Sequence, residues 1–147
     1  MGNPRPDPQA LAERVRDALW RDDAASRALG MSIVAIAPGT ARLTMTVRPD
    51  MLNGHGICHG GLLTTFADTA MAFASNSHNE SAVASHLSAD FIAPARLDDV
   101  LTASAIETAR TQRTGVYDVT VNNQHGAALV VVRGRVHRVP GKSIVSA

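Results

Sequence analysis

The chain has 147 residues and a formal net charge of +1; that length suits one domain burying about two thirds of its unfolded surface, and that charge gives no field for nucleic acid or an anionic membrane. Aromatic residues are 3% of the total, so the core is expected to be built from Ala, Val, Leu and Ile. The one cysteine, Cys58, excludes an internal disulfide and fits a reducing compartment.

Residues 1–7 carry Pro4 and Pro6, with Pro8 next, and are expected to be a loose tail. They show no apolar run or cleavage pattern, and no stretch of the chain is apolar for long enough to span a bilayer, so a cytoplasmic protein is expected. Asp7 followed by Pro8 predicts a helix start, an N-cap acid and then proline at the first helical position. Leu11, Val15, Ala18 and Leu19 share one face, and the helix is expected to reach Leu29, with Gly30 ending it. Residues 31–37 and 40–48 predict a β-hairpin around the Pro38-Gly39 turn. Ala41, Leu43, Met45 and Val47 alternate there with Arg42, Thr44, Thr46 and Arg48.

A glycine loop follows, and then residues 61–76, the most apolar helical candidate. This helix has no Pro, Lys or Arg and one acid, Asp68. A helix that is apolar nearly all round is expected to be buried. Strands are predicted over 81–93, 100–109, 114–122 and 127–139, the last ended by Pro140-Gly141, with 140–147 a loose tail. The order α-β-β-α-β-β-β-β with short turns predicts an α+β fold in one domain over 1–147. An antiparallel sheet would be covered by the central helix, with the N-terminal helix outside.

The stretch NGHGICHGGLLTTFADTA holds the chemical candidates. Asp68 has Thr64, Thr65, Met71 and Ala72 as helical neighbours and no basic partner, and an unpaired acid in apolar surroundings points to a site. Gly60 and Gly61 at the helix start leave backbone N–H groups open to a carbonyl oxygen or an anion. Taken alone, Asn53 reads first as a turn cap. His55, Cys58 and His59 lack the matched second half of a metal site, so no metal is expected. GxSxG, GxGxxG and P-loop patterns are absent. His78, His86, His125 and His137 read as structural or solvated.

MLNGHGICHGGLLTTFADTA resembles the signature of hot-dog-fold acyl-CoA thioesterases, in the phenylacetic-acid-degradation branch: an Asn, then His-Gly-Gly, then an Asp eight residues after the first Gly. The similarity continues through AVASHLSADFIAPARLDD, TGVYDV and RGRVHR, covering roughly 19–138. It implies a hot-dog fold, an antiparallel sheet wrapped around a long central helix. It implies Asp68 as nucleophile or general base, Gly60 as the amide that polarises the thioester carbonyl, and Asn53 and His59 as catalytic positioning groups. The substrate implied is an aryl- or hydroxyphenylacetyl-CoA. No cofactor is implied, coenzyme A being part of the substrate.

Gly61, Thr65, Ser85 and Arg113 are the further substrate-binding candidates, Ser85 for a water and Arg113 for the phosphates, with Ser88, Arg96, Arg135 and Arg138 behind them. Ala72, four residues past Asp68, has no hydroxyl to offer. Eight residues of helix separate Gly60 from Asp68 by about 12 Å along the axis. One carbonyl cannot meet both in one chain, which predicts a homodimer with composite sites; the resemblance adds a dimer of dimers, a homotetramer. A hot-dog hydratase and a non-catalytic acyl-CoA-binding sensor module are the alternatives.

Overall fold

The computed structural model describes residues 5–146. Two helices, α1 (Pro8–Asp22) and α2 (Ala24–Ala28), lead into a hairpin of β1 (Ser32–Ala37) and β2 (Thr40–Thr46). A short 3-10 turn (Pro49–Met51) and the glycine loop precede the long α3 (Gly60–Asn76). Then come β3 (Ala82–Phe91), β4 (Val100–Arg110), β5 (Thr114–Asn122) and β6 (Ala128–Arg138). The expected single N-terminal helix is two helices. Asp23 (φ −84°, ψ 76°) leaves the helical region between them, and its carboxylate instead caps Ser26 N–H at 3.0 Å. An aspartate that can cap a new helix competes with continuing the old one.

All six strands form one antiparallel sheet in the order β1-β2-β4-β5-β6-β3. The chain therefore crosses from β2 over the sheet through α3, lays β3 on the far edge, and returns to place β4 beside β2. Register puts Met45 opposite Leu101 and Val119 opposite Val132 on the inner face. Those residues, with Leu43, Ala103, Ala105, Val121 and Val130, are buried against Phe66, Ala67, Ala70, Met71 and Ala74 of α3. The sheet wrapped on one helix is the expected hot-dog fold. Burying a side chain such as Phe66 contributes about 2–3 kcal/mol, and truncating it to Ala would cost about 3–5 kcal/mol.

Small residues set how closely α3 approaches the sheet. A β-carbon on Gly134 of β6 would lie 2.1 Å from Met71 Sδ. The threonines and serines of α3 are tolerated because they bond their own backbone. Thr64, Thr65 and Thr69 donate to Gly60, Gly61 and Thr65 carbonyls at 2.9–3.0 Å, and Ser75 donates to Ala72 O. Thr69 Oγ1 also meets Ser26 Oγ at 3.1 Å, fixing α2 to α3.

Burial of α3 is less complete than its composition predicts. Gly61 is exposed, and Thr65, Asp68 and Ala72 are half-buried. At their spacing these four form one open stripe along the helix. Apolar content reported the core side, but Ala, Thr and Gly are equally at home on an open face.

The C-terminal segment is docked, where a loose tail was expected. Asn79, whose backbone is left-handed (φ 61°), accepts from Ile144 and Val145 N–H at 3.0 and 2.9 Å and donates to Val145 O at 2.9 Å. Ser81 N–H donates to Lys142 O at 2.8 Å. Residues 1–4 and 147 of the expected tails lie outside the described residues.

Candidate active site

The loop before α3 is a tight, stapled hairpin. Asn53 N–H donates to Ile57 O at 2.8 Å, and Gly56 N–H to Asn53 O at 3.0 Å. Asn53 Oδ1 accepts from His55 N–H at 2.9 Å and from Ile57 N–H. The Asn53 side chain thus closes the turn, the structural role its residue type favours. Cys58 N–H donates to Ala95 O, and His59 N–H to Met51 O, both at 2.8 Å. The loop is pinned on both sides, so the helix start is held rigidly.

His59 is the N-cap of α3, and its Nδ1 accepts the Gly61 N–H at 3.0 Å. An accepting Nδ1 puts the ring proton on Nε2, which faces outward as a donor. Gly61 N–H is therefore used, and Leu62 and Leu63 N–H both turn to His59 O. Gly60 N–H is different. Among the described residues it has no acceptor, and it sits at the positive end of a 17-residue helix. The two glycines expected to act alike are thus separated: Gly60 offers a donor and Gly61 supports the cap.

Asp68 lies two turns along the open stripe. Among the described residues its carboxyl has no hydrogen-bond donor and no basic partner, and burial pushes it above the ordinary aspartate range. Such a group is costly to keep charged and ready to accept a proton or a ligand. Thr65 sits beside it, but its hydroxyl is occupied by Gly61 O.

The remaining candidates are scattered. Ser85 stands at a bulge on β3, where register slips between Ala84 and His86, and its hydroxyl donates to Arg135 O at 3.2 Å. Arg113 is exposed in the β4–β5 turn, with its carbonyl taken by Arg138 N–H. Arg138 pairs in turn with Ala82, nine residues up β3 from Phe91. Phe91 touches the Gly60 turn, so Arg113 lies about 30 Å from Gly60 of its own chain. Arg138 is buried, pairs with Glu80 at 3.1 Å and donates to Thr111 O, so it is not available to phosphates. The His55–Cys58–His59 trio does not converge. Cys58 is buried, with its thiol pushed up by burial, His55 is exposed, and His59 is turned to Gly61.

Two arrangements escaped sequence reasoning. The first is Phe91, whose ring packs on Gly60; nothing local relates a β3 residue to the helix start. The second is a polar cluster at the far end of α3. Buried Tyr117 donates to Glu107 Oε2 at 2.7 Å, and His78 Nε2 meets the same oxygen at 2.8 Å. Burial pushes the Glu107 carboxyl up, yet the Tyr117 and His78 bonds outweigh it and hold it below the usual range. Burial and Glu107 together push the Tyr117 hydroxyl well up.

No helix among the described residues is long and apolar enough to cross a membrane. A family model for the thioesterase superfamily matches residues 55–130. The acyl-coenzyme A thioesterase PaaI of Escherichia coli is 44% identical over 124 residues, 84% of this chain and 89% of that protein. The solved structure of the E. coli PaaI protein from the phenylacetic acid degradation operon matches with a TM-score of 0.90 at 41% identity, covering 92% of this chain and 99% of that one. A hypothetical thioesterase from Streptococcus pneumoniae, solved with coenzyme A, matches with a TM-score of 0.74 at 26% identity, over 77% of this chain and 91% of that one. An open amide and an unpartnered carboxyl on one hot-dog helix are thus found in a chain that belongs to the thioesterase superfamily.

Proposed function

We propose that the protein hydrolyses acyl-CoA thioesters, with aryl- or hydroxyphenylacetyl-CoA as the substrate class. The observation that carries this is a pair of groups left unsatisfied among the described residues: Gly60 N–H without an acceptor and the Asp68 carboxyl without a donor. Attack on a thioester drives negative charge onto the carbonyl oxygen, and a fixed amide at a positive helix end stabilises that charge. The carboxylate supplies the attack, as nucleophile or as base for water. Relatives point the same way, one named an acyl-coenzyme A thioesterase and one solved with coenzyme A.

The two groups act across chains in this reading. They lie about 12 Å apart along one helix, too far for one carbonyl. Pairing the helix start of one copy with Asp68 of another gives two sites per symmetric homodimer, and two such dimers a tetramer. His59 serves by shaping the turn, and Asn53 by closing the loop behind it while its amide nitrogen, which has no acceptor among the described residues, can donate. The hydroxyls of Thr65 and Ser85 donate to backbone carbonyls, which leaves their oxygens to accept from a water, while the Asn53 amide can donate to one.

Thiol release from a panel of acyl-CoA esters tests the activity. Turnover of phenylacetyl-CoA is expected; tight binding without release from any ester would favour a sensor module. Co-refolding Asp68→Asn with Gly60→Pro chains tests the shared site. Random pairing should restore about a quarter of the wild-type sites, because half the dimers each hold one intact site.

A further inference from the structure

The stripe that carries Asp68 continues to Ala72, one helical turn or about 6 Å further along the axis. There it opens on a cavity of about 390 Å3. Ala72, Phe73 and the polar Asn76 of α3 form one wall, Ala18 and Leu19 of α1 the second, and Ile144 of the C-terminal segment the third, with charged residues of the α1–α2 junction completing the lining. The volume is in the range of sites for small organic ligands, which are typically apolar with a polar margin. Phe73 is fixed in place by Trp20, with ring centroids 6.2 Å apart. Ile144 belongs to no helix or strand. It is held from outside, by the two hydrogen bonds from Ile144 and Val145 N–H to Asn79 Oδ1 and the return bond from Asn79 Nδ2 to Val145 O.

We propose that this cavity receives the far end of the acyl group, and that Ile144, clamped by Asn79, sets the length of acyl group accepted. The inference rests on the thioesterase reading above. Ala72, one turn from Asp68 on the same helix face, lines the cavity, and Ile144 of the C-terminal segment walls it on the other side. The class it fits is an apolar acyl group of one ring or a comparably short chain, stopped by Ile144. Asn79 is a positioning residue here: it touches no substrate and acts through Ile144.

The test compares kcat/KM for acetyl-, phenylacetyl- and decanoyl-CoA by thiol release, with the full chain and each variant checked by its melting curve. Ile144→Trp fills the cavity and should lower the phenylacetyl-to-acetyl ratio by about tenfold or more. Ile144→Ala and Asn79→Ala, which shorten or release the wall, should raise the decanoyl-to-phenylacetyl ratio by about the same factor. The proposal is overturned if folded Ile144→Trp and Ile144→Ala both keep their ratios within about twofold of wild type. Should the wild type release no thiol from any ester, the thioesterase reading fails instead. Calorimetric titration with phenylacetyl-CoA would then decide the cavity: weaker binding to Ile144→Trp supports it, and equal binding removes it.

Discussion

The ring of Phe91 lies on Gly60: a β-carbon placed there would meet Phe91 Cε1 and Cζ at 3.2 Å. Gly60→Ala keeps the amide but crowds the ring, whereas Gly60→Pro crowds the ring and removes the donor. Proline at this first helical position is otherwise well tolerated. Crowding that shifts the turn by about 1 Å is expected to lower kcat by up to about 100-fold. Loss of the donor should lower it by about 100- to 1000-fold. Adding Phe91→Ala should then recover Gly60→Ala but not Gly60→Pro. Equal recovery of both would mean that the Gly60 amide does not serve the reaction.

Asp68 should trade stability for activity. Burial holds its folded pKa above the ordinary 3.8, so the folded chain binds this proton more tightly than the unfolded chain does. The charged form therefore lowers stability, by nothing below pH 3.8 and in full above the folded value. Asp68→Asn is expected to melt higher than wild type at pH 7, with the gap closing as pH falls toward 3.8. Its kcat should fall by about 100- to 10,000-fold. The acid limb of the wild-type kcat/KM profile should lie above 3.8. A mutant less stable than wild type at neutral pH would show that the carboxyl has a partner after all.

Glu107 gives the opposite sign. Its folded pKa is held below the ordinary 4.5, so its contribution is full above pH 4.5 and is lost as pH falls through the folded value. The stability difference between wild type and Glu107→Gln should shrink over that acid window. Glu107→Ala leaves the Tyr117 hydroxyl buried without an acceptor and should cost about 1–3 kcal/mol in urea unfolding at pH 7. Tyr117→Phe combined with Glu107→Ala should cost less than the sum of the two single changes.

His59→Ala removes the cap from α3 and should destabilise the protein by about 1 kcal/mol, with His59→Asn recovering most of the loss. If the two variants melt alike, the His59 contact with Gly61 N–H contributes nothing to the helix.

The fold was legible wherever period and punctuation agreed. β2 alternates cleanly, glycines lead into α3, and Asp98-Asp99 and Asn123 mark turns, so those elements appear where the pattern puts them. Legibility failed where two signals competed or where the decisive contact is long-range. Asp23 caps a second helix inside an unbroken helical pattern, and only its spacing to Ser26 hints at it. The docking of Ile144 depends on Asn79, 65 residues earlier, and the ring over Gly60 comes from β3. In the site, residue types named Asp68 and Gly60, but they could not show that Gly61 N–H is already taken by His59. Nor could they show that Arg113 stands at the other end of the sheet.

The two margins of the sheet are unlike. Along β1, α1 lies against the strand and Gln9 Nε2 takes the Ile36 carbonyl at 2.9 Å. Along β3, Val83 and Phe91 are more than half exposed and no strand follows among the described residues. A strand margin left bare invites a further strand, and a blocked one refuses it. Growth by strand addition can then proceed at one side only, so two copies joined β3 to β3 would leave no bare margin behind. Self-assembly through the backbone would be self-terminating, with neither ribbon nor fibre as its end.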